Sequence, residues 1–183
     1  YILRANNIPV SDGALTIQFT SQVDSATLAG LAIYSADGGR FEEPPAPTIC
    51  PASGPCKILP LGDSITDGVG GSGGAYRVEL FRQAVLNNKN ITFVGTKSNG
   101  PTTVEGKSFP RNHEGNSGWS INQVAGIVPS PALNSDPNII LLLIGTNDSW
   151  VEPNNNGAQA MAQRLGALMD KIINSKPNAL LAV

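Results

Sequence analysis

KILPLGDSITDG, residues 57–68, is the stretch on which the fold turns. Its first five residues read as a short buried strand, and the chain then empties at once into glycine, aspartate, serine and threonine. That leaves Ser64 at the mouth of a strand, with Asp63 before it and Asp67 one turn after it. A plain polar turn has the same composition, so the segments that follow must decide between a turn and a reactive corner.

Working outward toward the C-terminus, strand-like and helix-like runs alternate. Residues 75–89 carry Tyr76, Leu80, Phe81, Ala84 and Val85 on one helical face, and residues 91–95 read as the next strand. A long polar loop is expected to about Gly118, with a short helix from Ser120. Residues 138–144 form an uninterrupted apolar run, the pattern of a strand buried on both faces. Residues 157–174 are amphipathic, with Met161, Leu165, Leu168, Met169 and Ile172 inward, and residues 179–183 begin a further strand. The alternation predicts an α/β domain, a parallel sheet between two helical layers joined by right-handed crossovers.

Working outward toward the N-terminus, the texture differs. Residues 37–55, DGGRFEEPPAPTICPASGP, concentrate proline, glycine and small polar residues and read as a linker. Residues 1–36 alternate apolar and polar in short runs separated by turn residues, the pattern of antiparallel strands. Two or three strands make no core alone. They read as the end of a β-rich, sandwich-like module, and the chain, opening on Tyr1 without a signal-type leader, reads as an internal fragment.

Charge narrows the partners. The net charge is −2 and no Lys/Arg cluster occurs, which excludes the electrostatic footprint of a nucleic-acid binder. The longest apolar run is far too short to span a bilayer. Cys50 and Cys56 lie in CPASGPC, and with a single histidine in the chain they lack the company a metal site needs. A small disulfide loop, pointing to an oxidising and secreted setting, and two free thiols both remain open.

Three glycine-punctuated polar stretches fall where a parallel sheet gathers its ligands, at the carboxyl ends of strands. They are GDS (62–64), GNSGWS (115–120) and GTND (145–148). A serine at a strand-to-helix corner can attack an acyl carbonyl, provided that N–H donors converge on the oxyanion that forms. Ser64, Gly118 and Asn147 meet that specification from three separate segments.

With these blocks the sequence resembles the SGNH (GDSL-type) hydrolases, over residues 56–183. The wording LGDSITDG, HEGNSGWSI and GTND looks most like the family 3 carbohydrate esterases, the acetyl xylan esterases. The resemblance implies a flavodoxin-like three-layer α/β/α fold and ester hydrolysis through an acyl-enzyme, without metal or other cofactor. Ser64 would be the nucleophile and one backbone oxyanion donor, Gly118 a second backbone donor and Asn147 a side-chain donor. The substrate would be an acetylated plant polysaccharide or a small ester, and the setting extracellular. A thioesterase or lysophospholipase of the same superfamily, and a non-catalytic carbohydrate-binding protein with a relic hydrolase domain, are the rival readings.

One departure stands out. The family carries its catalytic aspartate and histidine in a late Asp-x-x-His motif, and no such motif occurs among these 183 residues. The expectation is that it follows Val183, so that residues 56–183 would lack the C-terminal part of the domain and act weakly alone. His113, the single histidine, is expected to pack in its loop or touch substrate at the rim rather than act as base. Glu114 beside it reads as a loop acid. Asp63, Trp119 and Trp150 complete the candidate substrate contacts, with core packing the alternative for each tryptophan and a turn-organising role for Asp63 and Asp67. Arg77 either pairs locally or lines the cleft. GVGGSG (68–73) and GGSGG (70–74) match dinucleotide and nucleophile-elbow patterns only formally, because no strand runs directly into either.

Overall fold

The computed structural model describes residues 48–70, 73–151 and 157–183, with the backbone alone at 150 and 151. The strands expected in residues 1–36, and residues 37–47 of the expected linker, lie outside the described residues. Residues 48–55 run without regular structure to the first strand, and Cys50 and Cys56 are joined as a disulfide with their Cα atoms 4.8 Å apart.

Strand β1 (Cys56–Gly62) is the centre of the sheet. Helix α1 (Ser64–Asp67) and helix α2 (Tyr76–Leu86) follow it, then β2 (Ile91–Phe93). The expected polar loop is in fact built from short strands: β3 (Lys97–Ser98), the hairpin β4 (Thr103–Val104) and β5 (Lys107–Ser108), and β6 (Asn112–Gly115). Helix α3 (Ile121–Gly126), strand β7 (Ile139–Leu143), helices α4 (Thr146–Val151) and α5 (Gly157–Ser175), and strand β8 (Leu180–Ala182) complete the described chain. Among the described residues no helix is long and apolar enough to cross a membrane.

The register explains how β6 finds a place. Ile58 pairs with Phe93 on one side and Ile139 on the other, and Leu61 pairs with Glu114 on one side and Leu142 on the other. So β2 and β6 share one flank of β1: β2 takes the first half and stops at Phe93, and β6 takes the second. On the opposite flank β7 and then β8 run parallel to β1. The parallel order, β2/β6 then β1, β7 and β8, is flavodoxin-like. Strand β3 departs from the expected all-parallel sheet by running antiparallel along β6.

Side-chain alternation along β1 builds a core on each face. Leu59 and Leu61 join Ile140, Leu142, Ile121 and Val124 of α3, and Leu168 and Ile172 of α5. On the other face Ile58 meets Phe81 of α2, Phe93, Val104 and Phe109, where the Phe81 and Phe109 rings stack edge to face at 5.5 Å. Strand β7 is not buried on both faces as its composition predicts. Ile140 and Leu142 are buried, Ile139 and Leu141 are half-buried, and Leu143 is 43% exposed, because the second core centres on β1 and β2.

Candidate active site

Gly115, Gly62 and Leu143 lie side by side in register at the carboxyl ends of β6, β1 and β7. Adjacent strands are separated by about 4.8 Å. The GDS, GNSGWS and GTND stretches therefore leave the sheet next to one another, although about thirty to fifty residues separate them in the chain.

Glycine is required twice in this row. A Cβ on Gly62 would run into the Leu143 carbonyl oxygen and lie 2.7 Å from Thr66 Oγ1. One on Gly115 would strike the Asp67 backbone nitrogen and lie 2.7 Å from the Thr66 carbonyl carbon. The missing side chains let α1 lie directly on the strand ends. Asp63 starts that helix as its N-cap, with Oδ1 accepting from the Ile65 N–H at 2.9 Å, and Gly68 ends it in the left-handed region at φ 91°.

The loops are then tied together. Asn116 N–H donates to the Gly62 carbonyl at 2.8 Å, and Ser117 Oγ donates to Asp67 Oδ2 at 2.8 Å. Asn147 Nδ2 donates to the Trp119 carbonyl at 2.8 Å. An amide nitrogen carries two hydrogens, so this bond fixes the Asn147 plane and leaves the second N–H free to point elsewhere. Gly118 sits between these anchors, exposed, at φ 80°, with nothing near its Cβ position. Ser64 and Asn147 are half-buried.

Asp148, to which sequence reasoning assigned no role, is 3% exposed. Its Oδ2 accepts from the Ile121 N–H, one of the unpaired donors at the start of α3, at 2.9 Å, and its Oδ1 lies 3.4 Å from Arg164 Nη2. The GTND corner is thereby locked to α3 and α5. The signal was present in the last letter of that block.

Several candidates prove to be framework. Asp63 is fully buried and His113 is 1% exposed, so neither side chain offers a surface to substrate. Of its two expected places His113 takes the packed one and not the rim, because β6 carries it into the sheet, where Nδ1 accepts from the Gly115 N–H at 3.0 Å and Nε2 faces Asp67 Oδ1 at 3.7 Å. Because Nδ1 accepts a hydrogen bond, the proton of the neutral ring sits on Nε2, and neither nitrogen is poised to take a proton from Ser64. Glu114 is a hydrogen-bonded acid and not an exposed one; its carboxylate accepts from the Thr96 N–H at 2.8 Å and hydroxyl at 2.7 Å. Among the described residues Arg77 pairs with no acid and lines no cleft. It is fully buried and donates to the carbonyls of Thr66, Arg111 and Asp67 and to Asn99 Oδ1. Trp119 is half-buried against the first core. The Trp150 side chain and residues 71–72 of the glycine run lie outside what the structure describes. Among the described residues no three His, Cys, Asp or Glu side chains cluster as metal ligands would.

Burial, with Arg77 nearby, pushes the His113 pKa down to about 4 against the pull of Asp67. Between about 6.5 and 4 the unfolded chain binds the proton and the folded chain does not, so stability should decline as pH falls through that window. Because His113 is the single histidine, its imidazole NMR signals are unambiguous. They are expected to stay at neutral-form shifts from pH 8 down to 5; a midpoint between 6 and 7 would contradict the burial argument.

The sequence model of the GDSL-like Lipase/Acylhydrolase family matches residues 61–183. A multidomain esterase from Ruminococcus flavefaciens is 32% identical over 152 residues, covering 74% of this chain and 19% of that protein. Among solved structures, a family 3 carbohydrate esterase from Clostridium thermocellum is similar with a TM-score of 0.60 at 38% identity, over 69% of this chain and 59% of that one. A family 3 carbohydrate esterase from Talaromyces cellulolyticus, at 24% identity and a TM-score of 0.56, over 68% of this chain and 59% of that one, shares the fold.

Proposed function

Because the chain belongs to the GDSL-like lipase/acylhydrolase family, we propose that it serves a serine ester hydrolase that removes acetyl groups from a plant polysaccharide such as xylan. The observation that carries this reading is the in-register row of Gly115, Gly62 and Leu143, from which the Ser64, Gly118 and Asn147 segments leave together. The similarity to the Clostridium thermocellum family 3 carbohydrate esterase supports the polysaccharide assignment. The Cys50–Cys56 disulfide supports an extracellular setting.

In the proposed reaction Ser64 Oγ attacks the ester carbonyl. Negative charge then grows on the carbonyl oxygen, and it is met by the N–H groups of Ser64 and Gly118 and by the second Nδ2 hydrogen of Asn147. Donors fixed before the reaction cost no reorganisation when the charge appears, which is why such sites lower the barrier. Collapse of the intermediate expels the alcohol and leaves acetyl-Ser64, which water hydrolyses. The serine proton needs a base, and His113 is not available for it; the family resemblance assigns that role to an Asp-x-x-His pair.

Acyl-chain preference tests the substrate class. With p-nitrophenyl esters and the protein at its natural length, kcat/KM for acetate should exceed that for octanoate by more than about 10-fold. Preference for chains of eight carbons or longer would reject the acetyl assignment in favour of a lysophospholipase or thioesterase.

A further inference from the structure

We infer that Asp67 is a positioning residue for the reaction, acting through Ser117 to hold the Gly118 N–H in register with Ser64. This inference rests on the proposed function and adds a residue to it. Ser64 and Asp67 are the two ends of α1, three residues apart and so on one face of the same helical turn. Ser117 is bonded to Gly118 in the chain, and its hydroxyl donates to Asp67 Oδ2 at 2.8 Å. One carboxylate therefore connects the turn that carries the nucleophile to the loop that carries an oxyanion donor.

Gly118 depends on such a tie. It is exposed, its φ of 80° suits a residue without a side chain, and nothing packs where a Cβ would be. Its position is set by hydrogen bonds from its neighbours. Upstream these are the Asn116 N–H to the Gly62 carbonyl and the Ser117–Asp67 bond; downstream they are the Trp119 N–H to the Asn116 carbonyl at 3.1 Å and the Asn147 bond to Trp119. Of these, only the Ser117–Asp67 bond reaches from the Gly118 loop to the helix of Ser64.

Asp67 is itself held rigidly enough to transmit position. Asn99 Nδ2 donates to its Oδ1 at 2.6 Å and to its carbonyl at 2.9 Å, and Arg77 Nη2 reaches the same carbonyl at 3.4 Å. The buried His113 faces Oδ1 from β6. A carboxylate held at Oδ1 by Asn99, on a backbone carbonyl held by Asn99 and Arg77, leaves Oδ2 aimed at Ser117. Removing the Ser117 hydroxyl should therefore release the loop without disturbing the framework beneath it.

The test uses the protein at its natural length and two readouts. In Ser117→Ala, kcat for p-nitrophenyl acetate should fall about 10- to 100-fold with KM little changed, since misplacing a donor costs transition-state binding. Ser117→Thr, which keeps a hydroxyl, should restore most of it. Asp67→Ala should lower kcat comparably, and the Asp67→Ala/Ser117→Ala double variant should lose little more than the worse single variant. Independently of catalysis, amide hydrogen exchange across residues 116–119 should quicken in Ser117→Ala. Unchanged exchange and unchanged kcat, in a protein where Ser64→Ala abolishes turnover, would overturn the positioning role and leave the proposed function standing. Additive losses in the double variant would likewise overturn it. If Ser64→Ala retains turnover, the proposed function fails and the role of Asp67 fails with it.

Discussion

Replacement of Ser64 by alanine is expected to lower kcat/KM for p-nitrophenyl acetate by at least about 10⁴-fold in the protein at its natural length, the scale seen when a catalytic serine is removed from a hydrolase. Stability should barely move. Ser64 is half-buried and, among the described residues, no hydrogen bond is made by its hydroxyl, so Tm should stay within roughly 2 °C. The comparison with Asn147→Ala is informative because the two residues act differently. Asn147 is proposed as one donor among three, and its loss should cost about 10²- to 10³-fold, mainly in kcat. It also ties Trp119, so that variant should lose some stability as well. Retained hydrolysis in Ser64→Ala would remove the nucleophile from the mechanism and the mechanism with it.

Gly62→Ala and Gly115→Ala are expected to be strongly destabilising small substitutions. At both positions the new methyl meets backbone, the Leu143 carbonyl in one case and the Asp67 nitrogen in the other, and backbone cannot rotate aside as a side chain can. Overpacking of this kind costs about 1–3 kcal/mol and more where strands must part, which corresponds to a Tm drop of roughly 4–12 °C in a domain of this size. The damage should extend to activity, because those strand ends and α1 carry the candidate site. Gly126→Ala provides the contrast: its Cβ position opens on empty space, and the change should stay within about 0.5 kcal/mol. Thermal unfolding of the three variants side by side checks the ranking. Equal stability at positions 115 and 126 would mean that the helix does not lie on the strand ends as described.

What was legible in the sequence is what repeats locally. Strand β1, helices α2 and α5 and strand β7 fall within a few residues of where hydrophobic periodicity puts them, because a period near two or near 3.6 is a property of the segment itself. The three blocks were legible for a related reason, since each couples a strand end to a glycine corner. Strand β6 was not. NHEG has no strand-like composition, and it becomes a strand because β2 stops at Phe93 and leaves the second half of β1 unpaired. Burial of polar residues was equally hidden. His113, Glu114, Arg77 and Asp148 carried no sequence signal of burial against a distant partner, and each is buried against one such as Asp67, Thr96, Arg111 or Ile121.

The sequence by itself determined the layered α/β architecture and the identity of the three glycine-punctuated corners. Only the tertiary structure decided which polar side chains serve as framework and which remain open to a ligand. The physical reason is that a charged or polar group is tolerated in the interior only where distant segments bring it hydrogen-bond partners, and that pairing exists in no single stretch of the chain.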